Sequence, residues 1–201
     1  MAEPDPPAGP HFRTTVLDLV TGEPIHDATV QQVISSTTNL IVSDREGKAT
    51  IPALGTAETL EFNVYHSDYL VLSPVIITQP VLAHYNSANQ PFVTYLIRPS
   101  DYGTVIPSDV PLEEASPHIV YLHRSDFTAA SDVTFPRPVP TTPSVARDAD
   151  GRFVESGSPG EDGVLLFPHM MRGTMLTSCI GPRSLAVALS GFSASSYYLC
   201  E

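Results

Sequence analysis

At 201 residues the chain exceeds the commonest size of one domain, so one large sandwich or two small modules fit its length. Its formal charge is -12, with Lys48 the sole lysine and the other positive charges on scattered arginines, which excludes a phosphate-backbone or anionic-membrane binder. Twenty prolines and twelve glycines beside only 16% charged residues point to short strands joined by turns rather than to long helices.

No apolar run approaches the roughly 20 residues of a membrane-spanning helix. Residues 1–10, MAEPDPPAGP, have neither the basic start nor the apolar stretch of a secretory signal. As written the chain reads as cytoplasmic, or as extracellular if a signal was removed, so the compartment stays open. Residues 1–12 are proline-rich, acidic and small, unsuited to a core, and are expected to form an extended arm with Pro6 and Pro7 as protein contacts.

From Arg13 onward short apolar runs alternate with turn signals: TTVLDLV, then TGEPIHDA, TVQQVIS, NLIVS, DREGK, ATIPAL and TLEFNVY. In TLEFNVY, Leu60, Phe62 and Val64 share one face and Glu61 and Asn63 the other, the period-two pattern of a half-buried strand. Two further strands are expected in YLVLSPVIIT and QPFVTYLIR. This spacing is that of a β-sandwich.

Residues 99–116, interrupted by prolines, read as a semi-rigid linker in which VIPSDVPL can pack on a sandwich. Beyond it the scheme repeats. EGKATIPAL (46–54) aligns with DGVLLFPHM (162–170), and TLEFNV (59–64) with SLAVAL (184–189), where Leu185, Val187 and Leu189 form the expected buried alternation. The openings VLDLVTGEPIHDATV and VYLHRSDFTAASDVTF correspond more loosely. Recurrence in this order predicts two copies of one module. FPRPVPTTPSV (135–145) cannot supply ladder donors at its prolines and reads as an edge segment or exposed loop. The expected architecture is therefore all-β: a Pro-rich arm (1–12), a β-sandwich (13–98), a linker (99–116) and a second, degenerate Ig-like or prealbumin-like β-sandwich (117–201).

Val16-Leu17-Asp18, Thr21-Gly22-Glu23-Pro24-Ile25, Ala28-Thr29-Val30, Ser43-Asp44-Arg45-Glu46-Gly47 and Ile51-Pro52-Ala53-Leu54 together resemble the carboxypeptidase regulatory-like family. The resemblance covers about residues 13–98 and implies a prealbumin-like, Greek-key sandwich without catalytic function, of the kind appended to enzymes, placed in stalks or used as an assembly subunit. Asp27 stands where that family usually has glycine. Aspartate also tolerates the left-handed region, so the turn is expected to survive.

Candidate chemistry is sparse. The catalytic Tyr-Arg-Gly-Ser tail of transthyretin-like hydrolases is missing, since the chain ends in Tyr197-Tyr198-Leu199-Cys200-Glu201. Tyr65-His66 and His84-Tyr85 lack the spacing of an iron site, because adjacent strand residues face opposite sides. His118 and His123 fall on opposite faces of one strand and read as ordinary histidines. Asp148, Asp150 and Gly151, with Glu155, Glu161 and Asp162 nearby, offer oxygens to calcium, but a hairpin turn is the plainer reading. Ser178 lacks a nucleophile elbow, and Lys48, just after a turn, is poorly placed for an isopeptide staple. Cys179 and Cys200 fit one disulfide or two buried thiols.

No catalytic residue, cofactor or metal is expected. The residues favoured as a protein contact are Phe167, His169, Met170 and Met171, with Pro6 and Pro7 of the arm, because adjacent methionines in an extended chain face both sides and suit adaptable interfaces. The expected role is a non-catalytic structural or accessory subunit bound to other proteins, neither nucleic-acid-binding nor membrane-inserted. The alternatives are a glycan- or peptide-binding module and, last, a prealbumin-like enzyme.

Overall fold

A computed structural model describes residues 11–34, 37–52, 59–70, 72–88, 90–105, 118–124, 144–167, 175–177, 186–188 and 195–200. Its strands are β1 (His11–Asp18), β2 (Thr29–Ile34), β3 (Thr37–Val42), β4 (Lys48–Pro52), β5 (Thr59–Tyr65), β6 (Leu72–Thr78) and β7 (Phe92–Leu96). They continue with β8 (His118–Arg124), β9 (Val145–Arg147), β10 (Phe153–Glu155), β11 (Val164–Phe167), β12 (Met175–Thr177), β13 (Ala186–Ala188) and β14 (Ser195–Cys200). Two short helices interrupt them, α1 (Gln79–Ala88) and α2 (Tyr102–Val105). The protein is thus mostly β-sheet with few helices.

The alternation read in the sequence decides the packing. Phe12 and Val16 on β1, Ile51 on β4 and Phe92 and Leu96 on β7 point inward from a three-stranded sheet ordered β4-β1-β7. They meet Val30 on β2, Leu60, Phe62 and Val64 on β5, and Val75 and Ile77 on β6. The rings of Phe12 and Phe62, on strands of different sheets, lie 6.3 Å apart. Helix α1, which begins Gln79-Pro80 where proline needs no helical donor, brings Tyr85 edge-on to Phe12 and Phe92.

The second sheet has nine strands in the order β10-β9-β11-β8-β14-β6-β5-β2-β3. Strand β14 runs parallel to both β6 and β8, so strands from the two halves of the sequence join one sheet. The core is likewise continuous: Ile119, Val145, Val164 and Leu166 belong to the same buried cluster as Phe12 and Phe62.

A local arrangement recurs. In the first half β1 pairs antiparallel with β4 and parallel with β7. In the second, β8 pairs antiparallel with β11 and parallel with β14. Both β4 and β11 follow a glycine in the left-handed region, Gly47 (φ 73°) and Gly163 (φ 73°).

The start of the segment read as a linker is folded. Pro99–Asp101 form a 3-10 turn that runs into α2, and Tyr102 and Val105 are buried. Residues 106–117 and the polyproline stretch up to residue 143 lie outside the described residues. So do residues 1–10 of the arm, while His11 and Phe12, also read as arm, start β1.

Candidate functional site

A densely bonded polar cluster forms where β1 ends. Asp18 is fully buried, and its Oδ1 accepts the backbone N–H groups of Val20 and Thr21, both at 2.9 Å. The Tyr69 hydroxyl donates to Asp18 Oδ2 (3.0 Å) and accepts from Arg98 Nε (3.1 Å), which itself lies 3.2 Å from Asp18 Oδ2. Burial alone would raise the Asp18 carboxyl, but the N–H groups of Thr21 and Val20, the Tyr69 hydroxyl and Arg98 outweigh it and hold it below the ordinary carboxylate value. Burial and the Asp18 carboxylate push the Tyr69 hydroxyl up, against the opposing pull of Arg98.

Beside this cluster lies an open groove of about 560 Å³, lined by Glu23, Pro24, Ile25, His26, His66, Asp68, Tyr69, Arg98 and Ser100. Its aromatic and imidazole groups are already engaged. The Arg98 guanidinium lies 5.4 Å over the Tyr69 ring, and His66 meets that ring edge-on at 5.1 Å. His66 Nδ1 also accepts the Asp68 N–H, and His26 bonds Asp27 Oδ2 at 2.9 Å. Asp27 takes φ 59°, a left-handed conformation that aspartate tolerates better than most residues.

The acidic turn considered for calcium is closed by its own backbone. Asp148 Oδ1 accepts the N–H groups of Asp150 (3.0 Å) and Arg152 (2.9 Å), with Gly151 at φ 78°. Asp162 accepts the Val164 N–H and lies 3.9 Å from Arg147 Nε, whereas Glu155 and Glu161 are exposed. Among the described residues no three His, Cys, Asp or Glu side chains group closely enough to hold a metal ion.

Tyr85, partly buried, packs against the core beside Phe12 and Phe92, with His84 edge-on to it at 5.4 Å, and Lys48 is exposed and paired with Glu46. His118 and His123 stand on β8 in register with Phe167 and Leu199. Cys200 ends β14, and Cys179 lies outside the described residues.

Of the residues expected to form a protein contact, Phe167 is corrected: it is 1% exposed, and all of β11 is buried. A strand covered on both faces leaves its aromatic ring inside the protein. His169, Met170, Met171, Pro6 and Pro7 lie outside the described residues.

The sequence reading missed a clasp between the halves. Arg147 on β9 donates from Nη2 to the Leu19 carbonyl and stands over the rings of Tyr95 (5.9 Å) and Phe153 (5.1 Å). Burial, then the Asp162 carboxylate, push the Tyr95 hydroxyl up, against Arg147. No local signal distinguishes this arginine, because Leu19 lies 128 residues upstream and Tyr95 stands on β7. Also unforeseen is the exposure of Leu40 (66%) and Val42 (58%) on β3, the last strand of the nine-stranded sheet.

No helix among the described residues is long and apolar enough to cross a membrane. No protein-family model matches this chain, and no curated protein matches it. Among solved structures, the Bacillus anthracis TIE protein is similar at 10% identity and TM-score 0.29, covering 94% of this chain and 33% of that one. The shaft pilin SpaA of Lactobacillus rhamnosus GG, in a mutant form, is similar at 9% identity and TM-score 0.30, covering 95% and 97%. A streptococcal ancillary pilin is similar at 8% identity and TM-score 0.24, covering 94% and 68%. Likeness at this level assigns no function.

Proposed function

We propose that the chain is a non-catalytic structural or accessory subunit of a larger protein assembly, with residues 13–98 and 117–201 as two β-sandwich modules serving as spacer and docking surface. The observation that supports this most is the insertion of β14 between β6 and β8, which couples the halves through one sheet and one core. A coupled pair of modules transmits position and load without a hinge, which is what a spacer needs. The polar groups around the groove serve the fold: Asp18 ties a turn, Tyr69 and Arg98 hold Asp18, and His66 caps Asp68. Gentle purification from the native source with sizing and mass spectrometry tests this reading. Recovery in a complex of fixed composition is expected, with loss of association on deleting residues 1–11; recovery as a lone chain would contradict it.

The groove favours one second reading, a peptide-binding module. A sugar-stacking site needs an open aromatic face, whereas the groove's single tyrosine, Tyr69, has Arg98 over its ring and His66 against it. A peptide screen giving a hit that Arg98→Gln abolishes would put this reading first.

A further inference from the structure

We infer that β3 is a self-association edge, through which two copies of this chain pair antiparallel about a two-fold axis. Strand β3 ends the nine-stranded sheet and, among the described residues, pairs only with β2. A free strand edge offers unpaired backbone donors and acceptors, and monomeric proteins blunt such edges with lysine, proline, inward charge or a bulge. The sequence of β3, TTNLIV, has no charge and no proline, and its ladder with β2 runs through six consecutive pairs without a register shift. The other edge of the sheet differs. Strand β10 has only three residues, one of them Glu155, and the adjoining turn carries Asp150 and Arg152.

Charge selects the occupant. A chain of net charge -12 repels its own kind over most approaches, but residues 28–43, spanning the β2–β3 hairpin, contain no Asp, Glu, Lys or Arg. Asp44 lies just beyond the Val42 end of β3, and Asp27 precedes β2 at the same end. Antiparallel pairing carries these carboxylates to opposite ends of the interface, whereas parallel pairing would stack them on their counterparts. The antiparallel arrangement is also self-complementary, as a closed two-fold dimer requires. It brings Leu40 and Val42 of one copy beside those of the other on the outer face, covering the two most exposed large hydrophobic side chains of the described residues. A contact built on a six-residue strand is smaller than an obligate interface, so the dimer forms reversibly.

Sedimentation equilibrium of the full chain over a concentration series tests this without any other protein, so its outcome is separate from that of the subunit reading. A monomer–dimer equilibrium is expected. Leu40→Lys and Leu40→Glu should each weaken it by at least about tenfold, with melting midpoints unchanged at concentrations where the wild-type chain is monomeric, since Leu40 is exposed, and an equimolar mixture of the two variants should regain the dimer. A wild-type chain that stays monomeric, a dimer indifferent to both substitutions, or a mixture without rescue would each overturn the inference.

Discussion

Two turns of the same sequence type sit in the two halves and differ in what lies behind them. Asp44-Arg45-Glu46-Gly47-Lys48 and Asp148-Ala149-Asp150-Gly151-Arg152 make the same bonds: the aspartate Oδ1 accepts two N–H groups, and its own N–H reaches the carbonyl four residues on. Yet a Cβ on Gly47 would meet the Val16 carbonyl oxygen at 2.5 Å, whereas one on Gly151 would meet nothing within 4 Å. Local chemistry sets the backbone of both turns. Packing makes only the first one indispensable, because it lies against β1 and the 21–25 turn.

The largest test of this contrast lies in the buried phenylalanines of the two halves. Phe62→Ala and Phe167→Ala each leave a cavity and should cost about 3–5 kcal/mol. Since the halves share a sheet, each should lower one common unfolding midpoint by chemical denaturation, not split the transition in two. Next come the turns themselves. Gly151→Ala should cost about 1–2 kcal/mol for the left-handed backbone alone, and Gly47→Ala about 1–3 kcal/mol more for its clash; equal costs would remove the distinction.

Arg147→Ala probes the junction. It leaves the Leu19 carbonyl without this donor and Asp162 without its cation, an expected loss of about 1–3 kcal/mol, and it should loosen the second half more than the first, as seen by limited proteolysis. Asp18→Asn shares with Gly151→Ala the smallest expected effect, about 1–2 kcal/mol at neutral pH. Because the Asp18 carboxyl titrates below its unfolded value, its contribution is complete above the ordinary carboxylate range, near 3.9, and is lost as pH falls through the folded value. Denaturation midpoints of wild type and Asp18→Asn should therefore converge in acid and separate toward neutrality.

The strands of the first half were legible because they alternate. TLEFNVY became β5 with its expected bounds, and Leu60, Phe62 and Val64 are buried as their spacing required. The acidic-glycine turns at Gly47 and Gly163 were readable from residue chemistry, whereas the turn at Asp27 was expected only through the family resemblance. Helix α1 was not, since QPVLAHYNSA is short and weakly patterned and is held by the packing of Tyr85. Strand β14 and the Arg147 clasp escaped for a different reason. Their partners are distant in sequence, and a parallel strand inserted between β6 and β8 leaves no periodic signature in the chain. Phe167 was misjudged because an apolar strand before a proline reads alike whether one face is covered or both.

Amide hydrogen exchange along β5 and β11 tests most directly whether the halves act as one rigid unit. Exchange of both sets through a common opening, with the same free energy and the same denaturant dependence, is the predicted result. Exchange of β11 through a separate, lower-energy opening that leaves β5 protected would contradict the account.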